Sequence, residues 1–532
     1  MAKFKILVAD NISQIGVDLL SSIDDLEVVF TPKMSQEEVL ETIGEYDALI
    51  VRSRTKAGAD VIAAGKKLKV IGRAGVGVDN IDREAASSHG VIVMNTPTGN
   101  TISTAELAFT LMLSAARNIG PSHKSIIEGR WDRKLYQGIE MFNKRLAVIG
   151  MGRIGAEFAK RAQAFGMHVV AYDPFLTQAR ADEMKVELAE SPDLALTGAD
   201  AVTLHVPLID STKNIINAER LALMNKGAIV VNCARGGLVD EQALSDAIAS
   251  GHIAGCGLDV YTEEPPSAEM EIFSHGKHTA FTPHLGASTN EAQENVGIQV
   301  AEQVRDFLVT GEIRNAINMP SLDAQAAAEI GQYLDLGKAL GTLLGQLGPE
   351  NPEALRISYH GPLAEKDTAL VSRTVLCSLL ESHSDAEVNI VNAPEKAKIM
   401  GLDLVESTIN AKTEYSDLLV AELRKGDAKY RVAGTVIGQT AKVVEIDKIF
   451  VDMGINGNFL IVKNDDRKGI VGKVGTTLAE NDFNIANMSL ARNCEILDGA
   501  LSIIELDSVV DVRLCDTLKS LDGVTCVRSV VL

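Results

Sequence analysis

Leu146-Ala147-Val148-Ile149-Gly150-Met151-Gly152-Arg153-Ile154-Gly155 is the stretch on which the fold of this chain turns. Four apolar residues without a polar break read as a strand buried on both faces, and the glycines at 150, 152 and 155 follow it directly. Glycines there permit a tight turn and a close backbone approach, and the helix they open offers free N–H groups to a pyrophosphate. Asp173 closes the next apolar run, His168-Val169-Val170-Ala171-Tyr172. At that place a carboxylate accepts ribose hydroxyls and repels a 2′-phosphate. Strand, glycine turn, helix and acid together predict a dinucleotide site that favours NAD over NADP.

Outward from this stretch, apolar runs continue on both sides. Downstream strands are expected at Ala201-Val202-Thr203-Leu204, Ala228-Ile229-Val230-Val231, Leu258-Asp259-Val260 and Thr279-Ala280-Phe281-Thr282, followed by a helix over 290–308. Upstream, Lys5-Ile6-Leu7-Val8, Ala48-Leu49-Ile50-Val51, Lys69-Val70-Ile71-Gly72 and Val91-Ile92-Val93-Met94 read as strands of a second α/β sheet. Between the two series, Asn95-Thr96-Pro97-Thr98-Gly99-Asn100 breaks the rhythm, and Ser103-Thr104-Ala105-Glu106 reads as a capping box. The box would open an apolar helix to about Arg117, expected to pack between domains or subunits. Residues 321–455 are mixed, with a helix near 333–347, strands near 355–359 and 388–391, and a hairpin over 430–446. The last stretch, from about 456, gives strand, helix, strand, strand, helix, strand, a small ferredoxin-like sandwich.

Three segments place reactive groups just past apolar strands, at the carboxyl edge where open α/β sheets bind ligands. They are Asn232-Cys233-Ala234-Arg235-Gly236-Gly237, Leu258-Asp259-Val260-Tyr261-Thr262-Glu263-Glu264-Pro265, and Thr282-Pro283-His284-Leu285-Gly286. A guanidinium grips a carboxylate, an imidazole takes a hydroxyl proton, and a carboxylate beside the imidazole fixes its tautomer. Singly, Arg235 also reads as a surface ion pair, Glu264 as a turn residue before proline and His284 as a capping histidine. Three such groups at corresponding edges of one sheet argue for hydride chemistry on a hydroxy acid.

Composition narrows the field. The 532 residues carry 51 Lys and Arg against 72 Asp and Glu, a net −21, which is a poor footprint for a nucleic-acid binder. No apolar run approaches the roughly 20 residues of a membrane span, and the N-terminus lacks a signal-peptide pattern. Cys233, Cys256, Cys377, Cys494, Cys515 and Cys526 have neither metal-ligand nor C-x-x-C spacing, so reduced thiols in a cytoplasmic protein are expected and no metal site. One region opposes the trend: residues 51–180 hold 19 basic against 10 acidic side chains. A basic cleft in an acidic body is expected there, containing Arg52, Arg73, Arg133, Lys134 and Arg153.

The glycine turn, Cys-Ala-Arg-Gly-Gly, Asp-Val-Tyr-Thr-Glu-Glu-Pro and Pro-His-Leu-Gly together resemble the signature blocks of the D-isomer-specific 2-hydroxyacid dehydrogenases. The resemblance spans essentially the whole chain and fits the long form, with an intervening domain and a C-terminal ACT domain. It implies an α/β protein with two doubly wound Rossmann-like domains, an α+β intervening domain and a ferredoxin-like ACT domain. The boundaries implied are 1–98 with 285–316 for a split substrate-binding domain, 99–284 for the NAD-binding domain, 317–455 and 456–532. The implied activity is NAD-dependent oxidation of 3-phospho-D-glycerate to 3-phosphohydroxypyruvate, the first committed step of L-serine synthesis, with 2-oxoglutarate reduction as a side activity. By the same resemblance, Arg235 orients the substrate carboxylate, His284 is the acid/base and Glu264 partners it. Gly150, Gly152, Arg153, Ile154 and Gly155 cover the pyrophosphate and Asp173 the ribose. Cys233, Ala234, Asp259, Gly286 and Ala287 lie on the nicotinamide side. Arg52, Ser53 and Arg73 hold the phosphorylated acid, and Arg133 and Lys134 resemble a basic segment lent across a dimer interface. Asn464, Asp466 and Asn484 match positions that bind serine in relatives, against the alternative of an ACT domain that only assembles subunits. A homotetramer is expected. Arg424, Lys425, Lys429 and Arg431 read as a solvated hairpin or an anion site. Alternatives on the same fold are a reductase of unphosphorylated 2-oxo acids such as hydroxypyruvate or glyoxylate, and a dinucleotide-sensing corepressor.

Overall fold

The computed structural model describes residues 4–320, 324–384, 387–409, 414–492 and 499–532. Cys494 lies outside them, and the five described cysteines form no disulfide. Among the described residues, no helix is long and apolar enough to cross a membrane.

Two parallel sheets dominate the first 310 residues. The first has the spatial order Leu26–Phe30, Phe4–Val8, Ala48–Val51, Val70–Arg73, Ile92–Met94, all parallel. Its order reverses between Phe4–Val8 and Ala48–Val51, which opens a crevice at their carboxyl ends. The second has seven strands: Thr279–Phe281, Ile253–Leu258, Ala228–Asn232, Ala201–Leu204, Arg145–Ile149, His168–Tyr172 and Glu187–Leu188. Here the reversal falls between Arg145–Ile149 and Ala201–Leu204, beside the glycine turn. The helix Asn290–Thr310 returns to the first sheet. A Cβ on Gly16 would lie 2.5 Å from the Gly297 carbonyl oxygen, and one on Gly72 2.7 Å from Val300. Those close approaches seat the helix on elements more than 200 residues earlier.

Beyond residue 320 the sheets change character. Six strands, Asp403–Ile409, Ala354–His360, Leu418–Lys425, Ala428–Ile437, Thr440–Ile446 and Ile449–Met453, are covered by the helices Ala324–Leu347 and Ala369–Glu381. The last sheet has the antiparallel order Ile485–Arg492, Ala500–Leu506, Asn458–Asn464, Val524–Val531, with helices Ile470–Glu480 and Val512–Lys519. This is the ferredoxin-like topology expected. Leu460, Val462 and Ile504 face its own helices, whereas Phe459, Ile461, Leu501, Ile503 and Val530 join the core of the preceding unit. A cavity of about 730 Å³ lies between that preceding unit and the first sheet, and no residue of the glycine turn lines it.

Several expectations are corrected. The strand placed at 258–260 is Ile253–Leu258. Its glycines mask it in sequence, yet both serve close packing: a Cβ on Gly255 would meet the His278 carbonyl at 1.9 Å and one on Gly257 would meet Leu111 at 2.8 Å. Residues 388–391 are a turn, because the Asn389 and Asn392 side chains bond backbone N–H groups there and a helix starts at Ala393. The capping box does not form. The helix Thr101–Ala116 starts earlier, and Ser103 bonds Thr289 instead. That helix lies on the dinucleotide sheet, against Ala228–Asn232, Ile253–Leu258 and Thr279–Phe281, and it also touches Asn290–Thr310, the helix that returns to the first sheet. The edge strand Leu26–Phe30 was not anticipated.

Candidate active site between the two parallel sheets

The glycine turn divides its labour by position. Gly150 has φ +93°, and a Cβ there would sit 2.6 Å from the His205 carbonyl oxygen. On Gly155 a Cβ would meet the Gly150 carbonyl at 2.1 Å, so this glycine closes helix onto strand. Gly152 caps the helix Arg153–Ala164, and a Cβ on it would meet nothing within 4 Å. Open space at a helix N-terminus is the cradle a pyrophosphate needs. Arg153 is exposed there and Ile154 half-buried. The Asp173 carboxylate accepts from the Met151 N–H at 2.8 Å and the Phe175 N–H at 2.9 Å, which ties the acid to the turn. Each oxygen keeps a lone pair for a ribose hydroxyl. These residues fit a bound dinucleotide. Desolvation of His205 beside the turn pushes its pKa down to about 3, so it lines this crevice as a neutral imidazole.

At the carboxyl edge of the same sheet the three reactive groups assemble. His284 Nδ1 and Glu264 Oε2 are 2.6 Å apart, which leaves Nε2 for a reacting proton. The other Glu264 oxygen accepts from the Tyr261 N–H at 3.1 Å. His284 itself stands at φ +56°, a left-handed backbone that a side chain rarely adopts. Asp259 holds it there. Buried completely, its carboxylate accepts from Thr282 Oγ1 at 2.6 Å and the N–H groups of Leu285 at 2.7 Å and Gly286 at 2.9 Å. Burial raises the Asp259 pKa against those hydrogen bonds. Thr104 closes the loop by donating to the Gly286 carbonyl at 3.0 Å, and Ala287 follows half-buried. Asp259 is thus an organiser of the His284 loop, a buried carboxylate held by three protein donors.

Arg235 extends from the loop after Ala228–Asn232. The buried Asn232 side chain pins that loop, donating to the Arg235 carbonyl at 2.8 Å and accepting from the Ala234 N–H at 3.0 Å. Cys233 is buried, and burial, then Asp259, push its thiol pKa up, so it packs rather than reacts.

Facing Arg235 across the cleft are Arg52 and Arg73, at the ends of Ala48–Val51 and Val70–Arg73. Burial, then the charges of Arg235 and Arg52, bring the Arg73 pKa down to about 10. Three guanidiniums therefore share one small region, as an anion-binding cleft requires. Glycines make room for them: a Cβ on Gly75 would lie 1.5 Å from Arg73 Nη1 and one on Gly77 1.9 Å from Arg235 Nη2. Ser53 is exposed in the bend after Arg52. Asp10, only 2 % exposed, organises this side. It accepts from the Arg52 N–H at 2.7 Å, the Thr55 hydroxyl at 2.7 Å, the Thr55 N–H at 3.1 Å and Arg54 Nε at 3.1 Å. Burial alone would raise its pKa, but these donors together hold it below the usual carboxylate range.

Asn464, Asp466 and Asn484 are not brought together within the chain. Asn464 is opposite Ala500, as is Arg492, whereas Ile485 is opposite Leu506 at the other end. Six residue steps at ~3.3 Å put Asn484 about 20 Å from Asn464. Asp466 pairs with Arg492 at 2.9 Å, and Asn484 donates to Asp507 at 2.9 Å. In the hairpin, Arg424 pairs with Glu422 and Arg431 with Glu445, each at 2.7 Å, so two of its four cations are already offset.

Asp10, Asp79, His205 and Asn232 were not anticipated. Asp10, His205 and Asn232 carried a signal, a polar residue directly after a buried apolar run at a carboxyl edge, and Asp79 carried none.

Residues 109–286 match the NAD binding domain of the D-isomer specific 2-hydroxyacid dehydrogenases, and residues 329–447 match the D-3-phosphoglycerate dehydrogenase intervening domain. The chain is 40% identical over 520 residues to D-3-phosphoglycerate dehydrogenase of Methanocaldococcus jannaschii, covering 98% of both. It is 37% identical over 526 residues to that of Bacillus subtilis, covering 99% of both. Among solved structures, a glyoxylate reductase from Paecilomyes thermophila superposes with a TM-score of 0.55 at 31% identity, covering 60% of this chain and 99% of its own.

Proposed function

This chain belongs to the D-3-phosphoglycerate dehydrogenases, and from that premise we propose that it oxidises 3-phospho-D-glycerate to 3-phosphohydroxypyruvate, at the head of serine synthesis. The observation that carries the reading is the 2.6 Å His284–Glu264 pair on the same sheet edge as Arg235, facing Arg52 and Arg73. His284 Nε2 accepts the C2 hydroxyl proton, and Glu264 holds Nδ1 so that the imidazole presents one tautomer. Arg235 grips the substrate carboxylate. Arg52 and Arg73 offset the phosphate. NAD, when bound, supplies the acceptor for the C2 hydride. Gly150, Gly152 and Gly155 shape its cradle, and Asp173 takes the ribose.

The reading extends to the whole molecule. Residues 1–98 with 285–316 act as the substrate-binding domain, 99–284 as the NAD-binding domain, 317–455 as the intervening domain and 456–532 as an ACT domain. A cytoplasmic homotetramer fits the exposed apolar side chains of Ile119, Ile126, Ile127, Trp131, Leu135 and Phe142, which gather in one stretch beside exposed Arg133 and Lys134. Serine as effector would take Asn464 and Asp466 from one chain and Asn484 from another, since one chain holds them about 20 Å apart. The test is NADH formation with 3-phospho-D-glycerate, repeated with added serine. No turnover of the phosphorylated acid, with brisk reduction of glyoxylate or hydroxypyruvate, would overturn the substrate.

A further inference from the structure

Asp79 stands at the centre of the proposed carboxylate grip, and no step above uses it. It lies on the first-sheet side of the cleft, with its side chain 80% exposed. Even so, its Oδ2 accepts from Arg235 Nε at 3.0 Å, across to the dinucleotide side. Arg235 Nη1 donates to the Ala234 carbonyl at 2.6 Å, and Nη2 abuts Gly77. A guanidinium has five N–H donors in one plane. Two bonds on different nitrogens fix that plane and leave the other donors for a ligand. Stability does not explain the pair, because an exposed ion pair contributes little to it. Orientation does. Arg235 and Arg52 both repel Arg73, and Asp79 is the carboxylate that bonds Arg235 from the opposite wall. Without it Arg235 is free to swing about its Ala234 bond, away from the other two cations.

We propose that Asp79 is a positioning residue for substrate recognition: it spans the cleft to hold the Arg235 guanidinium in the plane that receives the carboxylate of a 2-hydroxy acid. The inference rests on the assignment of Arg235 to that carboxylate. A misplaced binding group costs up to ~100-fold in rate, and this loss falls on the acid and spares the dinucleotide.

The test compares wild type, D79N and D79E in the NADH-forming direction. D79N is expected to raise the KM of the 2-hydroxy acid about tenfold, with a smaller fall in kcat. The inhibition constant of oxalate, which carries carboxylates and no phosphate, rises by a similar factor. KM for NAD stays within about twofold. D79E restores most of the loss, as a merely structural defect would not. A D79N enzyme whose acid KM is unchanged overturns the proposal. So does one whose acid KM falls, since Asp79 would then only repel the anionic substrate. So does a parallel rise in the KM of NAD. If wild type fails to oxidise 3-phospho-D-glycerate, the substrate reading has failed and this one has not. The same three proteins are then compared on the unphosphorylated 2-hydroxy acid that wild type oxidises.

Discussion

Glu264 and His284 are 20 positions apart in the chain and meet at 2.6 Å, while Asn464 and Asn484, separated by the same 20 positions, do not meet. The difference lies in the sheets. In the seven-stranded parallel sheet every strand exits at one edge, so residues that follow successive strands must assemble. In the C-terminal sheet Asn458–Asn464 and Ile485–Arg492 both run opposite to Ala500–Leu506 and hence alike. Asn464 closes the first of these strands and Asn484 precedes the second, so they lie at opposite edges. A motif at a strand exit is therefore a site prediction, and motifs at an exit and a start are not the same one.

The strongest way to break this comparison is to remove a group from the parallel edge. His284→Ala is expected to lower kcat by about 10³-fold, as loss of a general base does. Arg235→Ala should lower kcat/KM by a similar factor. Near-normal NADH formation in either would mean the edge assembles residues without using them. Glu264→Gln keeps the shape and removes the charge that holds Nδ1, so its fall is smaller, about 10–100-fold in kcat. A Glu264→Gln enzyme as slow as His284→Ala would give the carboxylate a more direct part.

What sequence made legible follows from the same rule. Arg235, Glu264, His284, Gly150 and Asp173 were readable because each follows an apolar run and its chemistry is local to one motif. Asp259 was placed at the site, but sequence could not say that three donors from 282–286 bind its carboxylate. Asp10 and Asp79 were missed because their partners lie 45 and 156 residues away. No local pattern encodes such distances. The strand Ile253–Leu258 was displaced because glycines chosen for close approach erase the apolar signal on which strand detection depends.

Asp10 sharpens the point, since it serves the parallel edge through the backbone of its loops. Asp10→Asn should cost about 1–3 kcal/mol at pH 7, because a buried, four-fold hydrogen-bonded carboxylate is lost. The sign of its pH dependence is fixed. The folded-state pKa lies below the ordinary 3.8, so wild type holds this stability above that value and loses it as pH falls through the folded pKa. Urea unfolding at pH 7 and in acid should show the gap between wild type and variant closing below pH 3.8. A gap that persists unchanged in acid would assign the cost to packing.

The smallest effects belong to the C-terminal sheet. Asn484 is exposed, so Asn484→Ala should leave stability within about 0.5 kcal/mol. Asn464 is buried, bonds the Asp466 N–H at 3.0 Å and has no partner for Nδ2 among the described residues. In Asn464→Ala a lost hydrogen bond and the removal of an unsatisfied donor oppose one another, for a net of about 1 kcal/mol or less. Serine response separates the two edges more sharply than stability does. If they meet only between chains, each variant alone loses the response. Co-refolded Asn464→Ala and Asn484→Ala chains then regain part of it, because one site of each mixed pair carries both asparagines. Loss without recovery in the mixture would place serine on a single edge of this sheet, and the separation of Asn464 from Asn484 would then have no bearing on regulation.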